Sequence, residues 1–241
     1  MPSEENIAEV LPQSVVFYRP RDVVSGDFYW MSHTAQHIAL AVVDCTGHGV
    51  PGALMSMLGG EILNEISRTD ALAQPEVILS ALHKGVYRTL KQGQSRNRDG
   101  MDVSLCVIDK DQQTLRFAGA KNSLFVVTDS QVRELKGTRR SIGGASPTAA
   151  FEQHTLALND LPPDTWFYMT SDGYLDQFGG TENKKLGKER FKQLLTRVAL
   201  LPAAQQTAAL AEYIETWMTQ GHEQPIDDML VWGFRHSRST S

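Results

Sequence analysis

Residues 38–60 read IALAVVDCTGHGVPGALMSMLGG, and this stretch is where the fold is decided. The unbroken apolar run Ile38 to Val43 has the length and composition of a buried strand. Asp44 ends it. Gly47 and Gly49 then permit a tight turn through backbone conformations closed to other residues. From Val50 onward, Leu54, Met57, Leu58, Ile62 and Ile66 fall at helical spacing, with Pro51 suited to the first turn. A buried strand therefore swings sharply into a helix. Asp44 is left at the strand end, where its carboxylate and the following carbonyl of Cys45 can face one hard cation.

Working outward, short β-branched or aromatic runs bounded by Gly, Asp, Asn or Pro predict strands over Val15–Tyr18, Phe28–Ser32, Ile38–Asp44, Val103–Asp109, Leu115–Ala118, Leu124–Thr128, Phe151–Leu158, Trp166–Thr170 and Met229–Arg235. Lys110–Gln113 reads as a hairpin loop and Gln92–Gly100 as an exposed polar loop. After the helix Val50–Thr69, a second runs from Pro75 to Leu90, with Ile78, Leu82, Val86 and Leu90 on one stripe; two more are expected over Lys188–Leu200 and Ala203–Gln220. Strands mostly follow strands, and helices come in pairs. This order argues against alternating βαβ units and for antiparallel sheets with helices on their outer faces. No repeat or composition break marks a second domain, so residues 1–241 are expected to be one domain with an ordered core over about residues 14–236.

Four aspartates stand where a strand meets a turn: Asp27 in SGDFYW, Asp44 in VVDCTGHG, Asp172 in YMTSDGYLD and Asp228 in PIDDMLVWGF. A lone Asp after a strand is ordinarily a turn former or helix cap. Four of them from distant segments point instead to one shared site. Clustered carboxylates are best matched by a divalent ion such as Mg²⁺ or Mn²⁺.

The 28 acidic and 23 basic residues leave a net charge of −5, which weighs against a phosphate-backbone binder and so against nucleic acid as a partner. Two cysteines, Cys45 and Cys106, are too few for a disulfide scaffold; in apolar strand contexts they read as buried thiols of a reducing, cytoplasmic compartment. The longest apolar run is far short of a membrane span, so no direct membrane insertion is expected. The start MPSEENIAEV has no signal-peptide pattern, and the tail RHSRSTS is polar and expected to fray.

The segments RPRDVVSGDFYW, VVDCTGHGVPGALMSMLG, GMDVSLCVID, LRFAGAKNSLFVV, SIGG, YMTSDGYLDQFGG and QPIDDMLVWGF, in this order from Phe17 to Phe234, resemble the metal-dependent protein serine/threonine phosphatases of the PPM family, in their bacterial SpoIIE-like branch. Each segment alone is weak, whereas the ordered set is specific. The resemblance implies an α+β fold, an α-β-β-α sandwich of two packed antiparallel sheets flanked by helix pairs, with a binuclear site at one end. It implies two divalent cations, Mn²⁺ or Mg²⁺. Asp44 would bridge both ions, the Cys45 carbonyl and Asp27 would serve the second, and Asp172 and Asp228 would complete the first. Asp227 is the less favoured ligand of its pair. Phe28–Trp30 would pack beneath the site. The implied reaction is hydrolysis of phosphoserine or phosphothreonine on a partner protein by a metal-activated water.

Further residues carry dual readings. Arg19 and Arg21 flank the first motif and could pair with substrate phosphate, or form salt bridges on a strand edge. His48 could act as a proton donor, contact the substrate phosphate, support the site through a hydrogen bond, or simply stand exposed among glycines. Asp102 could support the site through hydrogen bonds or cap a strand. The remaining histidines, His83 among them, read as surface or strand-edge residues. The resemblance departs from the family at AGAKNSL: where many members carry an Asp that supports a third ion, this chain has Lys121 and Asn122. Lys121 could touch phosphate or a neighbouring carboxylate instead. In the SpoIIE-like branch the early helix pair couples regulation to the site, so Val50–Thr69 and Pro75–Leu90 are expected to form a homodimer or regulator surface. The branch's substrates imply a STAS-domain antagonist in a partner-switching circuit, and its architecture implies the output domain of a longer, membrane-anchored receptor. The rival expectation is a pseudophosphatase, a binding module that keeps the fold without turnover.

Overall fold

The apolar strand at the start of the quoted stretch lies inside a sheet, one strand in from its edge, and is buried on both faces. In the computed structural model, which describes residues 1–129 and 131–235, the elements run α1 (Glu4–Val10), β1 (Ser14–Arg19), β2 (Phe28–His33), β3 (His37–Cys45), α2 (Gly49–Ser67), α3 (Pro75–Thr89), β4 (Gly100–Asp109), β5 (Thr114–Ala120), β6 (Leu124–Thr128), β7 (Gln131–Leu135), β8 (Ile142–Gly143), β9 (Gln153–Ala157), β10 (Trp166–Thr170), α4 (Asp172–Asp176), β11 (Phe178–Gly179), β12 (Lys184–Lys185), α5 (Gly187–Val198), α6 (Ala203–Gly221) and β13 (Met229–Phe234).

Two sheets carry the fold. One has the order β2-β3-β4-β5-β9, with β8 added to the start of β4; the other has the order β1-β13-β10-β6-β7. Among the described residues every pairing between two of these strands is antiparallel, as the strand-after-strand order demands. The side-chain period of two then divides the apolar residues into three layers. From β3, Ala39, Ala41 and Val43 face α2 and α3. Its alternate residues Ile38, Leu40 and Val42 face the second sheet, where they meet Leu230, Trp232 and Phe234 of β13. Beyond that sheet, Met229 and Val231 of β13 pack with Leu194, Leu210 and Ile214 of α5 and α6. The architecture is the expected α-β-β-α sandwich. Each fully buried Leu, Val or Phe stabilises it by about 1.5–3 kcal/mol.

The expected strands and helices fall within a few residues of the observed ones. The differences have local causes. Gly100–Asp102 joins β4 because Gly100 and Met101 pair with β8. Phe151 and Glu152 stand outside β9. The N-terminal segment forms a short helix, capped by the Ser3 hydroxyl accepting the Asn6 N–H and held by buried Ile7. Gln92 was expected on an exposed loop but is buried. The expected tail beyond Arg235 lies outside the described residues. Both cysteines are buried and free. Among the described residues no helix is long and apolar enough to cross a membrane.

Candidate active site

The strand ends that carry the aspartates meet at one end of the sandwich. Asp44 lies opposite Asp102 in the β3–β4 register, which puts both side chains on the same face of the sheet. The turn that follows uses positive φ at Gly47 and Gly49, as the sequence requires. Thr46 anchors it to β4: its N–H donates to the Gly100 carbonyl at 3.0 Å and its hydroxyl accepts the Gly100 N–H at 3.1 Å.

Loop 20–26 lies against this turn at backbone distance. A Cβ on Gly52 would sit 2.3 Å from the Gly47 carbonyl oxygen, and one on Gly26 would sit 2.6 Å from the same oxygen. The Ser56 hydroxyl, at 2.7 Å from the Gly26 carbonyl, joins α2 to the loop. Asp27 follows immediately and is buried; among the described residues its Oδ2 has no hydrogen-bond partner. From the other sheet, β10 ends at Thr170, and Ser171 leads into α4. There the Asp172 N–H donates to Asp44 Oδ2 at 3.2 Å. Buried Asp228 precedes β13 and has both carboxylate oxygens committed to backbone: Oδ1 accepts the Arg21 N–H at 2.8 Å and Oδ2 the Gly26 N–H at 2.7 Å. Half-buried Asp227 accepts the Asp228 N–H at 2.9 Å.

Electrostatics register the convergence. Burial pushes the Asp27 carboxyl well above the usual range, and the charges of Asp228, Asp227 and Asp172 push it further; the Ser171 hydroxyl opposes them. Asp44 is raised by burial and by the charges of Asp27, Asp172 and Asp102, against the Asp172 N–H. Asp172 is raised by burial and by Asp227, Asp176 and Asp102. Asp227, the less favoured of its pair in sequence, is thus the foremost charge on Asp172, while Asp228 acts as a clamp on loop 20–26.

Among the described residues no three carboxylates, imidazoles or thiolates close on a single point. The donor set nevertheless suits hard cations. It is all oxygen, it is raised in pKa by its own crowding, and it includes a buried carboxylate oxygen with no partner. The Cys45 carbonyl belongs to the same strand end. The Cys45 thiol is buried, and burial is the chief cause that pushes it above its ordinary range.

The other candidates separate. Arg19 points to the helical face and pairs with Glu215 of α6. Arg21 donates its guanidinium to the Ile226 carbonyl at 2.9 Å. Neither guanidinium pairs with the cluster among the described residues. His48 precedes α2 and its Nδ1 lies 3.1 Å from Asp22 Oδ2, with both side chains about half exposed. Asp102 accepts the Ser141 hydroxyl at 2.6 Å and faces Lys121 Nζ at 3.2 Å. Lys121 therefore meets a neighbouring carboxylate, from a backbone held at φ +59°. Phe28 and Trp30 pack in the core beneath α2, and the Trp30 indole donates to Asn64.

Sequence reasoning missed two supporting residues on and just beyond α3. His83, expected at the surface, is 1% exposed; its Nδ1 accepts the Gly143 N–H at 3.0 Å and its Nε2 reaches the Ser146 carbonyl at 2.9 Å. Buried Gln92 accepts the Gly144 N–H at 2.9 Å and donates to the Asp99 carbonyl at 2.6 Å. Together they brace the SIGG loop, which holds Asp102 through Ser141, and the segment beside Thr46. A signal was present for His83: it falls between Leu82 and Val86, beside the apolar stripe of its helix.

A sequence profile of the SpoIIE family, Stage II sporulation protein E, matches residues 34–237. The SiaA-PP2C domain of Pseudomonas aeruginosa matches with a TM-score of 0.87 and 33% identity, over 97% of this chain and 90% of that one. The PP2C phosphatase domain of the cell fate determinant SpoIIE from Bacillus subtilis, solved with a fragment of its regulatory domain, matches with a TM-score of 0.74 and 18% identity, over 95% of this chain and 64% of that one. RsbX, solved in complex with magnesium, gives a TM-score of 0.63 and 14% identity, over 93% and 95%. No curated protein sequence matches the chain.

Proposed function

This chain belongs to the SpoIIE family of PP2C-type protein serine/threonine phosphatases, and from that membership we propose that it hydrolyses phosphoserine or phosphothreonine on a partner protein with the help of two divalent cations, Mn²⁺ or Mg²⁺. The observation that carries the metal reading is the crowding of Asp27, Asp44, Asp172 and Asp227 at one end of the sandwich, with one buried Asp27 oxygen unpartnered. Those four carboxylates and the Cys45 carbonyl would hold the ions. When bound, such ions supply an activated water and offset charge building on the phosphoryl oxygens.

The chain's own residues do the rest. Asp228 holds loop 20–26 through two backbone N–H groups and so presents Asp27. The Asp172 N–H orients Asp44. Lys121 offsets Asp102 at the rim where a phosphate would arrive. For the substrate, the reading favours a STAS-domain antagonist in a partner-switching circuit, as the family resemblance implies. Two buried free thiols support a reducing, cytoplasmic setting. The exposed residues Val50, Leu54 and Met57 on α2 support an early-helix surface for a second copy or a regulator.

The test is turnover of p-nitrophenyl phosphate and of a phosphoserine peptide with Mn²⁺ or Mg²⁺. Activity should require the ion and disappear with chelator. Binding of phosphoprotein without turnover under any ion would support the pseudophosphatase instead.

A further inference from the structure

A groove of about 1070 Å³ opens beside Asp27 and runs along β2. Its floor includes the consecutive residues Phe28, Tyr29, Trp30 and Met31. Consecutive residues of a strand point to opposite faces, so one groove can touch all four only along the strand's edge. That edge is free: β2 ends its sheet and pairs with β3 alone among the described residues. Ala53, Met57, Gly60 and Asn64 of α2 form one wall at helical spacing. Glu9 of α1 and Glu61 of α2 are exposed at the rim, and among the described residues no Lys or Arg lines the groove.

We propose that this groove seats an extended segment of the phosphoprotein substrate, which adds as an antiparallel strand to the edge of β2 and delivers its phosphorylated side chain to the aspartate cluster. The inference rests on the phosphatase reading above and deepens it. An unpaired strand edge offers backbone donors and acceptors in a row, and an extended polypeptide is the ligand that satisfies them. The groove is continuous with the site through Asp27, the residue immediately before β2. Six residues of β2 span about 20 Å. An antiparallel peptide enters at the His33 end and reaches Asp27 at its C-terminal end, so the residues ahead of the phosphoserine lie in the groove. The acidic rim selects Lys or Arg among them.

The test uses the full chain with Mn²⁺ and two peptides: a phosphoserine dipeptide amide, and the same group preceded by Lys-Val repeats. The long peptide should show a KM about tenfold lower. N-methylating its alternate backbone amides should return KM to the short peptide's value. Glu61→Lys and Gly60→Trp should each cancel the gain while leaving p-nitrophenyl phosphate turnover unchanged, which also reports that both variants fold. At Gly60 an added Cβ meets nothing nearer than a Phe28 ring atom at 4.0 Å. Equal KM values for the two peptides, or a gain that survives N-methylation, would overturn the proposal. Anisotropy of the labelled long peptide makes the same comparison without turnover, so a failed metal reading and a failed groove give different results. Peptide binding lost in Glu61→Lys supports the groove even if nothing is hydrolysed, and no binding at all refutes it. A dimer that Gly60→Trp dissociates would assign the edge to a second copy and equally refute it.

Discussion

Asp172 reaches Asp44 with its backbone: the Asp172 N–H donates to Asp44 Oδ2 at 3.2 Å, tying the end of β10 in one sheet to the end of β3 in the other. The contact explains how two sheets share one site. It also sets what a substitution at Asp44 can change.

An asparagine at 44 can still accept that N–H, so Asp44→Asn alters charge with little change of shape. Its kcat/KM on p-nitrophenyl phosphate is expected to fall by at least about 100-fold. Its thermal midpoint without metal should rise by about 2–4 °C, because one of several crowded carboxylates is gone. Steady-state kinetics with Mn²⁺ check the first part, and differential scanning calorimetry with and without Mn²⁺ checks the second, where the metal-induced increase in midpoint should vanish too.

Asp227 and Asp228 should separate by phenotype. Asp228→Ala orphans the N–H groups of Arg21 and buried Gly26 and should cost about 1–3 kcal/mol in urea unfolding. Asp227→Ala should leave stability within about 0.5 kcal/mol and lose activity instead. A reversed pattern would return the ligand role to Asp228.

Gly52→Ala tests the backbone approach that sets loop 20–26 on the turn after β3. Its new methyl would overlap the Gly47 carbonyl at 2.3 Å, and the strain should cost about 1–3 kcal/mol. Chemical denaturation should show a lower midpoint at unchanged slope.

Lys121→Ala leaves Asp102 without its cation beside the cluster. The local field becomes more negative, so Mn²⁺ should bind more tightly. Lys121 is about half exposed, which limits the gain to about two- to fivefold. Isothermal titration calorimetry reads it; weaker binding would mean that Lys121 organises the site in another way.

His83 makes stability depend on pH. Burial holds its imidazole below the usual range; the Ser146 carbonyl opposes this and the Arg140 charge adds to it. Because Nδ1 accepts the Gly143 N–H, the proton sits on Nε2. The folded pKa lies below the unfolded one, so below about pH 6.5 the unfolded chain binds the extra proton first. This contribution is complete above that pH and is lost as pH falls toward the folded pKa, with a slope of at most about 1.4 kcal/mol per pH unit. His83→Gln should remove that part of the slope in urea titrations between neutral and mildly acidic pH.

The long, strongly patterned elements were legible in sequence because burial is written as period. β3 shows an unbroken apolar run because both its faces are covered, and α3 shows a stripe because one face is. What the sequence hid was short or locally ambiguous. The α4 turn has too few residues to show a period, and β7 alternates exposed and half-buried residues before buried Leu135. His83 and Gln92 carry no pattern of their own, since their partners are backbone groups of a loop some fifty or more residues away.

By itself the sequence determined the sandwich, the strand ends on which the acids stand, and the family. These follow from alternation, turn chemistry and motif order, which are properties of neighbours along the chain. Only the tertiary structure decided which acids crowd together, that Asp228 spends both oxygens on loop 20–26, that Arg19 turns away to Glu215, and that β2 keeps a free edge beside Asp27. A carboxylate's role depends on which donors and charges lie within a few ångströms of it, and that distance is set by the packing of segments remote in sequence.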